Sequence, residues 1–338
     1  MGSCYNVVKK EDEIKPQFME NGRMLLEELI STCDGKCNPM RTFSTQELQD
    51  ATNNYDYQRI IFEDYNYTLY QGFFEGRRIS VKTYGKIPGR LNFIPGSPFT
   101  NIAIGSQMSV HKNVLKLIGC CLETEHPILV HEFAGDSCLY NYLSTFEMSP
   151  SKLPSWKFRV KIALDIANAI AYLHNGLPKP VVHREIHPSH ILLDEAFTAK
   201  LVDFSLCEVI PLGESYVKHE TLSGRKGTLA PEYYAHGYVT EKTDVYSFGV
   251  LLFEILTGRF RFFKHLHGEC RTAWVNSDID HVLGIVDPPL REESIEEGIF
   301  QDFAMLALKC INDEAENRPT MIAVAKEVMR IYYSAPRN

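Results

Sequence analysis

The pattern of hydrophobic and polar positions changes along the chain. In the first fifty residues it is helical, and the apolar positions between Phe18 and Ile30 predict an amphipathic helix. Ser44 and Glu47 have the spacing of a capping box, which predicts a second, short helix. Between residues 60 and 133, short runs of Val, Ile, Tyr and Phe are separated by glycines, a pattern typical of antiparallel strands. The predicted strands are Thr68–Phe74, Arg78–Thr83, Val114–Ile118 and Ile128–Phe133.

Helical periodicity returns beyond Cys138. Five large apolar residues share one face of a predicted helix: Phe158, Ile162, Ile166, Ile170 and Leu173. The most apolar stretch, Val245–Leu256, contains Glu254 and is shorter than the roughly 18 residues that a membrane span needs. It therefore predicts a buried core helix. The whole pattern favours an α+β fold with a small β-rich lobe followed by a larger α-helical lobe.

Composition narrows the class of protein. The 338 residues include 35 Lys and Arg against 43 Asp and Glu, a formal net charge of −8, which argues against a nucleic-acid partner. A hydrophobic content of 44% is that of a folded globular protein rather than a disordered chain. Nine scattered cysteines lack the spacing of zinc ligands or of a disulfide framework, so a reducing, cytoplasmic environment fits best.

The amino terminus offers a candidate lipidation signal. Gly2 is placed for myristoylation and Cys4 for palmitoylation, although Asn6 stands where Ser or Thr is preferred. The alternative is an ordinary flexible terminus. No secretory signal opens the sequence, so we expect a cytoplasmic protein that associates with the plasma membrane only if these residues are acylated.

Four motifs in the second half carry a resemblance. They are His183-Arg184-Glu185, Asp203-Phe204-Ser205, Ala230-Pro231-Glu232 and Asp244-Val245-Tyr246-Ser247-Phe248-Gly249, preceded by Ile79-Ser80-Val81-Lys82. In order and spacing this series resembles the protein kinases. The resemblance implies a bilobal kinase-like domain over residues 55–332, with an N-lobe of about 55–133 and a C-lobe of about 134–332. Residues 1–54 would form an N-terminal extension with short helices, and 333–338 a tail.

The parts that hold the nucleotide in that family are replaced here. Phe62, Asp64 and Tyr67 stand at the positions of the glycines that let the backbone approach the phosphates. Phe62 and Tyr67 are large enough to fill the phosphate space. The helix glutamate that would pair with Lys82 is replaced by Ile102, and the segment from Pro98 to His111 contains no acidic residue.

The catalytic positions have changed as well. Glu185 replaces the catalytic aspartate, His187 the loop lysine, His190 the magnesium-binding asparagine and Ser205 the glycine of the Asp-Phe-Gly motif. Imidazole is a poor ligand for magnesium, and we expect no zinc site at the three histidines either, because they occupy inherited loop positions. No catalytic set is intact and no metal site is predicted.

Some family positions are retained. Lys82 and Asp203 are the remaining candidates for an ATP site, so we expect that no cofactor is required and that any ATP binding is weak. Asp244 matches the buried carboxylate that holds the catalytic-loop backbone, and Glu232 with Arg318 matches the ion pair that ties the activation segment to the lower helices. The architecture of the family is therefore expected to survive without its chemistry.

Along nearly its whole length the sequence resembles the plant receptor-like cytoplasmic pseudokinases of the HopZ-ETI-deficient-related (ZRK) group. The resemblance implies an inactive adaptor or decoy in plant innate immunity, with three partners: the leucine-rich repeats of a coiled-coil NLR receptor, an active cytoplasmic kinase that an effector has modified, and the bacterial effector itself. Arg225 and Lys226 are the candidate contact for a modified, phosphate-like group. The alternative for the segment that contains these two residues, Ser205 to Thr228, is an ordinary mobile loop. The alternative for the whole chain is a weak, atypical Ser/Thr kinase that uses Lys82, Glu185 and Asp203.

Overall fold

The computed structural model describes residues 3–33, 35, 39–63, 67–84, 96–143, 151–225, 227–260, 284, 286–293 and 295–334, with the backbone alone for 3–15 and 297. The chain divides into two compact units. The first contains residues 1–136 and 203–206, and the second contains 137–202 and 207–338. The first is rich in strands and the second in helices, which confirms the predicted fold class. The division falls three residues beyond the predicted lobe boundary.

A six-stranded sheet forms the first unit, in the order β1-β5-β6-β4-β3-β2. Its strands are β1 (Arg41–Thr42), β2 (Ile60–Glu63), β3 (Thr68–Phe74), β4 (Arg77–Thr83), β5 (Leu117–Cys121) and β6 (Ile128–Glu132). Neighbours are antiparallel except β1 and β5, which are parallel. The β4–β6 ladder pairs Ser80 with His131 and Lys82 with Leu129.

Strand β5 begins three residues later than predicted. Val114 is buried, as the pattern indicated, but its backbone N–H donates to the carbonyl of His111 in a turn and is not available to the sheet. The strand instead contains Gly119. A Cβ at this position would lie 2.2 Å from the carbonyl oxygen of Arg41, so glycine is what allows β1 to pair with β5.

Helix α2 (Thr45–Thr52) packs on the sheet. The predicted capping box is present: the Ser44 hydroxyl accepts a hydrogen bond from the Glu47 N–H at 3.2 Å, and the Glu47 carboxylate accepts one from the Ser44 N–H at 2.8 Å. Leu48 and Ala51 enter a hydrophobic cluster that also contains Val81 of β4 and Val130 of β6. Local capping and one apolar face therefore suffice to form and to position this short helix.

Helix α1 (Ser3–Cys33) is a single helix of 31 residues, which is longer than the predicted amphipathic helix between Phe18 and Ile30. Its first half is largely polar, which explains why apolar periodicity revealed only the part after Phe18. Leu25 and Leu29 are buried, and the Asn21 side-chain amide donates to the carbonyls of Leu122 and Thr124 at 2.9 and 2.8 Å. These contacts make the predicted extension part of the sheet-rich unit.

The bounds of α3 in the first unit are Pro98–Met108. The second unit contains α4 (Trp156–Asn175), α5 (Pro231–His236), α6 (Glu241–Thr257), α7 (Pro288–Arg291), α8 (Glu297–Cys310) and α9 (Met321–Ser334). Its short strands are β7 (Ser137–Cys138), β8 (Val181–Val182), β9 (Ile191–Leu193), β10 (Ala199–Leu201), β11 (Glu208–Val209), β12 (Val217–Lys218) and β13 (Tyr238–Val239).

Helices α4 and α6 form the core of the second unit. Every residue of α6 from Thr243 to Thr257 is buried, which confirms the predicted core helix. In α4, Ile162, Ile166, Ile170 and Leu173 are fully buried, but Phe158 is 41% exposed, contrary to prediction. Each step of four residues rotates about 40° around a helix, so Phe158 lies about 80° from Ile166, at the edge of the apolar face. Among the described helices, no segment combines the length and the apolarity of a membrane span.

Candidate functional site

Lys82 lies near the end of β4 and is buried without a glutamate partner from α3. Its Nζ atom is 2.7 Å from Oδ1 of Asp203, and both side chains are nearly inaccessible to solvent. Ile102, which replaces the glutamate, is completely buried in α3. Because the lysine is neutralised by the aspartate, the two charges that remain from the nucleotide site bind each other.

Asn101 completes this arrangement and was not singled out from the sequence. Its Nδ2 atom donates to Asp203 at 2.9 Å and to the hydroxyl of Tyr84 at 2.6 Å, and its Oδ1 accepts the backbone N–H of Phe204 at 3.1 Å. The side chain is 1% exposed. The available signal was an amide beside the apolar run Ile102–Ile104 of α3, since a buried amide needs partners.

Tyr67 covers the lysine. Its ring centroid lies 3.7 Å from the Lys82 Nζ atom, and the ring is also 5.8 Å from that of Phe62. Tyr67 is 3% exposed, so the aromatic group is packed inside the unit rather than projecting from it. The expectation that Phe62 and Tyr67 fill the phosphate space agrees with this packing. Asp64, the third altered glycine position, lies outside the described residues.

Ser205 lies beside Asp203 and is also buried. Its backbone N–H donates to Asp203 Oδ1 at 3.2 Å, and its carbonyl accepts the N–H of Ser97 at 2.9 Å. The serine is accommodated by Gly96, where a Cβ would lie 2.6 Å from the Ser205 hydroxyl. A glycine has therefore been lost from the motif, and another glycine makes room for the side chain that replaced it.

His131 and Ser80 face each other across β4 and β6. Both are buried, and neither Nδ1 of His131 nor the hydroxyl of Ser80 has a hydrogen-bond partner among the described residues. Burial, and secondarily the charge of Lys82, lower the pKa of His131 to about 3. Burial, and then the negative charge of Asp203, raise the pKa of Tyr84 well above its ordinary value. Both side chains are therefore neutral near pH 7.

In the second unit, the catalytic-loop carboxylate is paired within the protein. Glu185 is 4% exposed, and its Oε1 accepts from Nε of Arg225 at 3.3 Å. His190 Nδ1 lies 3.1 Å from the carbonyl oxygen of Glu185, and His187 Nδ1 lies 2.7 Å from the Ser189 hydroxyl. Arg225 is therefore occupied by Glu185, and its neighbour Lys226 lies outside the described residues.

The retained architectural residues are held by short hydrogen bonds. Asp244 accepts the backbone N–H groups of His183 at 2.7 Å and Arg184 at 2.9 Å. Arg318 donates two hydrogen bonds of 2.8 Å to the carboxylate of Glu232, and its side chain is fully buried. These contacts fix the backbone of the catalytic loop and of α5 within the helical unit.

The segment that follows Ser205 contains two short strands, β11 and β12, which are separated by turns and irregular stretches. Strand β11 pairs with β8, and β12 pairs with β13. The Tyr233 hydroxyl accepts the N–H of Ser223 at 2.9 Å and the guanidinium of Arg184 at 2.6 Å, and the His219 imidazole lies 2.9 Å from the Glu208 carboxylate. These contacts describe the segment in the chain alone, and the docking of a modified partner on Arg225 and Lys226 stays a prediction.

These motifs recur in a known family. The model of the family described as protein tyrosine and serine/threonine kinase matches residues 98–328. The chain belongs to the protein kinase family. Within this family its relatives include kinases and pseudokinases of the ZRK group, as the sequence motifs indicated.

Three kinase relatives from Arabidopsis thaliana illustrate the range. The chain is 36% identical to serine/threonine-protein kinase ZRK1, over 96% of this chain and 94% of that protein. It is 38% identical to non-functional pseudokinase ZED1, over 93% and 95%. It is 34% identical to wall-associated receptor kinase-like 1, over 97% of this chain but 45% of the longer protein. Relatives named as kinases and as pseudokinases are therefore about equally similar to this chain.

The residues of this kinase-family chain fit magnesium-bound ATP poorly. Mg²⁺ needs carboxylate or amide oxygens in a near-octahedral arrangement, but the Oδ1 atom of Asp203 already accepts hydrogen bonds from Lys82 and Asn101. The lysine that would hold the phosphates lies under Tyr67. The charges of Lys82 and Asp203 neutralise each other, and the interior around them is well packed. Of the two lipidation candidates, Gly2 and the side chain of Cys4 lie outside the described residues.

Proposed function

We propose that the protein is a catalytically inactive pseudokinase that acts by binding other proteins. The observation that carries this proposal is the closed Lys82–Asp203 pair, covered by Tyr67 and fixed by Asn101. Phosphoryl transfer needs a lysine and an aspartate that turn toward phosphate and metal, with little other covalent work for the protein. A pair of charges that bind each other supplies neither function, so no cofactor is required.

The partners in this proposal are those that the resemblance to the ZRK group implies, and two relatives, ZRK2 and ZED1, are named non-functional pseudokinases. We propose an adaptor or decoy in plant innate immunity, which binds the leucine-rich repeats of a coiled-coil NLR receptor. It would sense bacterial effectors directly or through an effector-modified cytoplasmic kinase. The site of action would be the cytoplasm, with acylation at Gly2 and Cys4 as a route to the plasma membrane. Binding of the effector or of the modified kinase would shift the receptor toward its active state only if the resulting complex binds that state more tightly than the resting state.

The Arg225–Glu185 pair suggests how a modified partner is recognised. The Arg225 side chain is 21% exposed, whereas Glu185 is buried, so an incoming phosphate-like group would compete with the carboxylate for the guanidinium. Arginine binds such groups through paired, charge-assisted hydrogen bonds. On this proposal the exchange of partners by Arg225, rather than the ordering of a mobile loop, links recognition to the activation segment.

Co-purification of the tagged full chain from leaf tissue tests the adaptor function. We expect a coiled-coil NLR to be recovered with this chain and not with an identically tagged wall-associated kinase domain. Recovery of no NLR would overturn the adaptor proposal. The Arg225→Glu variant should lose the modified kinase but keep the receptor, whereas Arg77→Glu, at an exposed arginine of β4, should lose neither.

A separate assay tests inactivity. Purified protein with ATP and either Mg²⁺ or Mn²⁺ should show neither autophosphorylation nor transfer to a generic substrate. Phosphorylation that Asp203→Ala abolishes would instead establish the weak kinase that uses Lys82, Glu185 and Asp203. This result would contradict the inactivity without bearing on the partners, so the two parts of the proposal fail independently.

A further inference from the structure

One side of helix α1 carries large apolar side chains that are open to solvent. Met19, Leu26 and Ile30 are each more than half exposed, and they follow one another at intervals of seven and four residues. Successive residues of a helix are about 100° apart, so these three lie within about 40° of one another. They form a row about 17 Å long, which we name the α1 stripe. Contiguous exposed apolar groups mark interaction sites, whereas single ones do not.

The opposite side of α1 holds the helix to the rest of its unit. Glu28 accepts a hydrogen bond from the hydroxyl of Thr100 in α3 at 2.9 Å, and Asn21 donates to the carbonyls that follow β5. Glu28 lies about 180° around the helix from the centre of the α1 stripe. The contacts that fix α1 therefore leave the stripe on the side that faces away from α3.

The spacing of the α1 stripe is that of a seam between two helices. In a heptad written abcdefg, Met19 and Leu26 occupy d positions and Ile30 an a position, with Arg23 at the a position between them. The charge of Arg23 is compensated, because its guanidinium lies 2.7 Å from the Glu20 carboxylate and 2.5 Å from that of Glu27. A seam of this kind fits the apolar face of a second amphipathic helix.

The charge beside the α1 stripe selects among possible occupants. Glu20 and Glu27 occupy e positions on one flank, and two carboxylates against the single Arg23 leave this flank negative. Charges at such flanking positions decide which helices pair. A second copy of the chain in antiparallel orientation would bring the same carboxylates together, and an anionic lipid surface would also repel them. A helix with lysine or arginine beside its apolar seam complements the flank.

We propose that the α1 stripe binds an amphipathic helix of another protein, one that has basic residues beside its apolar seam. The apolar residues of that helix would pack on Met19, Leu26 and Ile30, and its cations would pair with Glu20 and Glu27. A contact of this size is that of a weak or transient interface. The proposal does not depend on the adaptor function, because it uses neither Arg225 nor the residues of the former nucleotide site.

Two designed peptides, each three heptads long, test the charge complementarity. Both have leucine at every a and d position, and they differ in having lysine or glutamate at every e and g position. In fluorescence anisotropy with the full chain, we expect the lysine peptide to bind with a Kd of about 100 μM or below, and the glutamate peptide at least about tenfold more weakly. Failure of the lysine peptide to bind, or equal binding of the two peptides, would overturn the proposal.

Paired variants locate the binding. Leu26→Gln/Ile30→Gln should weaken binding of the lysine peptide at least about tenfold, through loss of apolar contact. Met329→Gln/Tyr333→Gln removes two exposed apolar residues from α9 with the same net charge, and should bind as the wild type does. Thermal unfolding checks that both variants are folded. Binding that survives Leu26→Gln/Ile30→Gln, or that the folded control loses equally, would show attraction to the acidic protein in general and refute the assignment.

Two further measurements distinguish the other occupants. Light scattering should show a monomer, and flotation with vesicles of phosphatidylserine and phosphatidylcholine should recover no protein with the lipid. A dimer that Leu26→Gln/Ile30→Gln dissociates would assign the α1 stripe to a second copy of the chain. Vesicle binding that the same variant abolishes would assign it to a lipid surface. Either result would overturn the proposal of a basic partner helix.

Discussion

Lys82→Met should destabilise this protein, because the lysine has a buried ion-pair partner, Asp203, within the chain. At 2.7 Å, two unit charges attract by about 6 kcal/mol at an effective dielectric constant of about 20. The loss has a ceiling, since an orphaned Asp203 can take up a proton. Protonating an aspartate costs about 5 kcal/mol at pH 7.5 and about 2 kcal/mol at pH 5.5. We therefore expect a loss of about 3–5 kcal/mol at pH 7.5 that shrinks to about 2 kcal/mol at pH 5.5.

Urea unfolding of the wild type and variants at both pH values measures this loss. Because the double variant Lys82→Met/Asp203→Asn removes both charges, it should recover much of the stability. Lys161→Met provides the control, since Lys161 pairs with Asp165 at 3.1 Å but is 29% exposed and should cost less than about 1 kcal/mol. A loss below about 1 kcal/mol for Lys82→Met, or a loss that does not change with pH, would refute the structural role.

Three further substitutions test the fold. Arg318→Met should lower stability by about 3–5 kcal/mol in urea unfolding, because it leaves the Glu232 carboxylate without its buried partner; a change under about 1 kcal/mol would contradict this. In the unfolded state His131 binds a proton below pH 6.5, whereas in the folded state it does so only near its pKa of about 3. Between pH 7.5 and 5 this group should therefore lower the free energy of unfolding of the wild type by about 2 kcal/mol. The His131→Phe variant should not show this part of the pH dependence. Ser44→Ala should cost about 1 kcal/mol, measured by thermal unfolding, through loss of the capping box, and a neutral result would mean that packing alone holds α2.

Local signals explain which elements could be predicted. The capping box of α2 and the unbroken apolar run of α6 are each complete within a short segment, so the sequence contains all the information they need. Strand β1 is different, because it has two residues and exists only through pairing with β5 at Gly119. Helix α1 is recognisable from its apolar half alone, since its polar half has no periodicity to detect.

The residues of the candidate site likewise fall into those that local motifs predict and those that only the packed fold brings together. Motif order located Lys82, Asp203 and Glu185, and the substitutions around them indicated a loss of chemistry. The partners that these residues found instead could not be predicted, because Asn101 and Arg225 lie 102 and 40 positions away from the carboxylates they bind. Such long-range pairing depends on how the chain packs, and no local pattern in the sequence predicts it.

On the proposed function, the charged residues at the former catalytic positions serve stability. Lys82 is neutralised by Asp203, and Glu185 is neutralised by Arg225. An active site keeps charges buried and ready for a ligand at a cost in stability, because a buried charge without a partner is expensive. Once no ligand is required, pairing the charges within the chain removes that cost. A protein whose role is to present surfaces gains from this exchange, since a rigid interior holds those surfaces in place without depending on ATP.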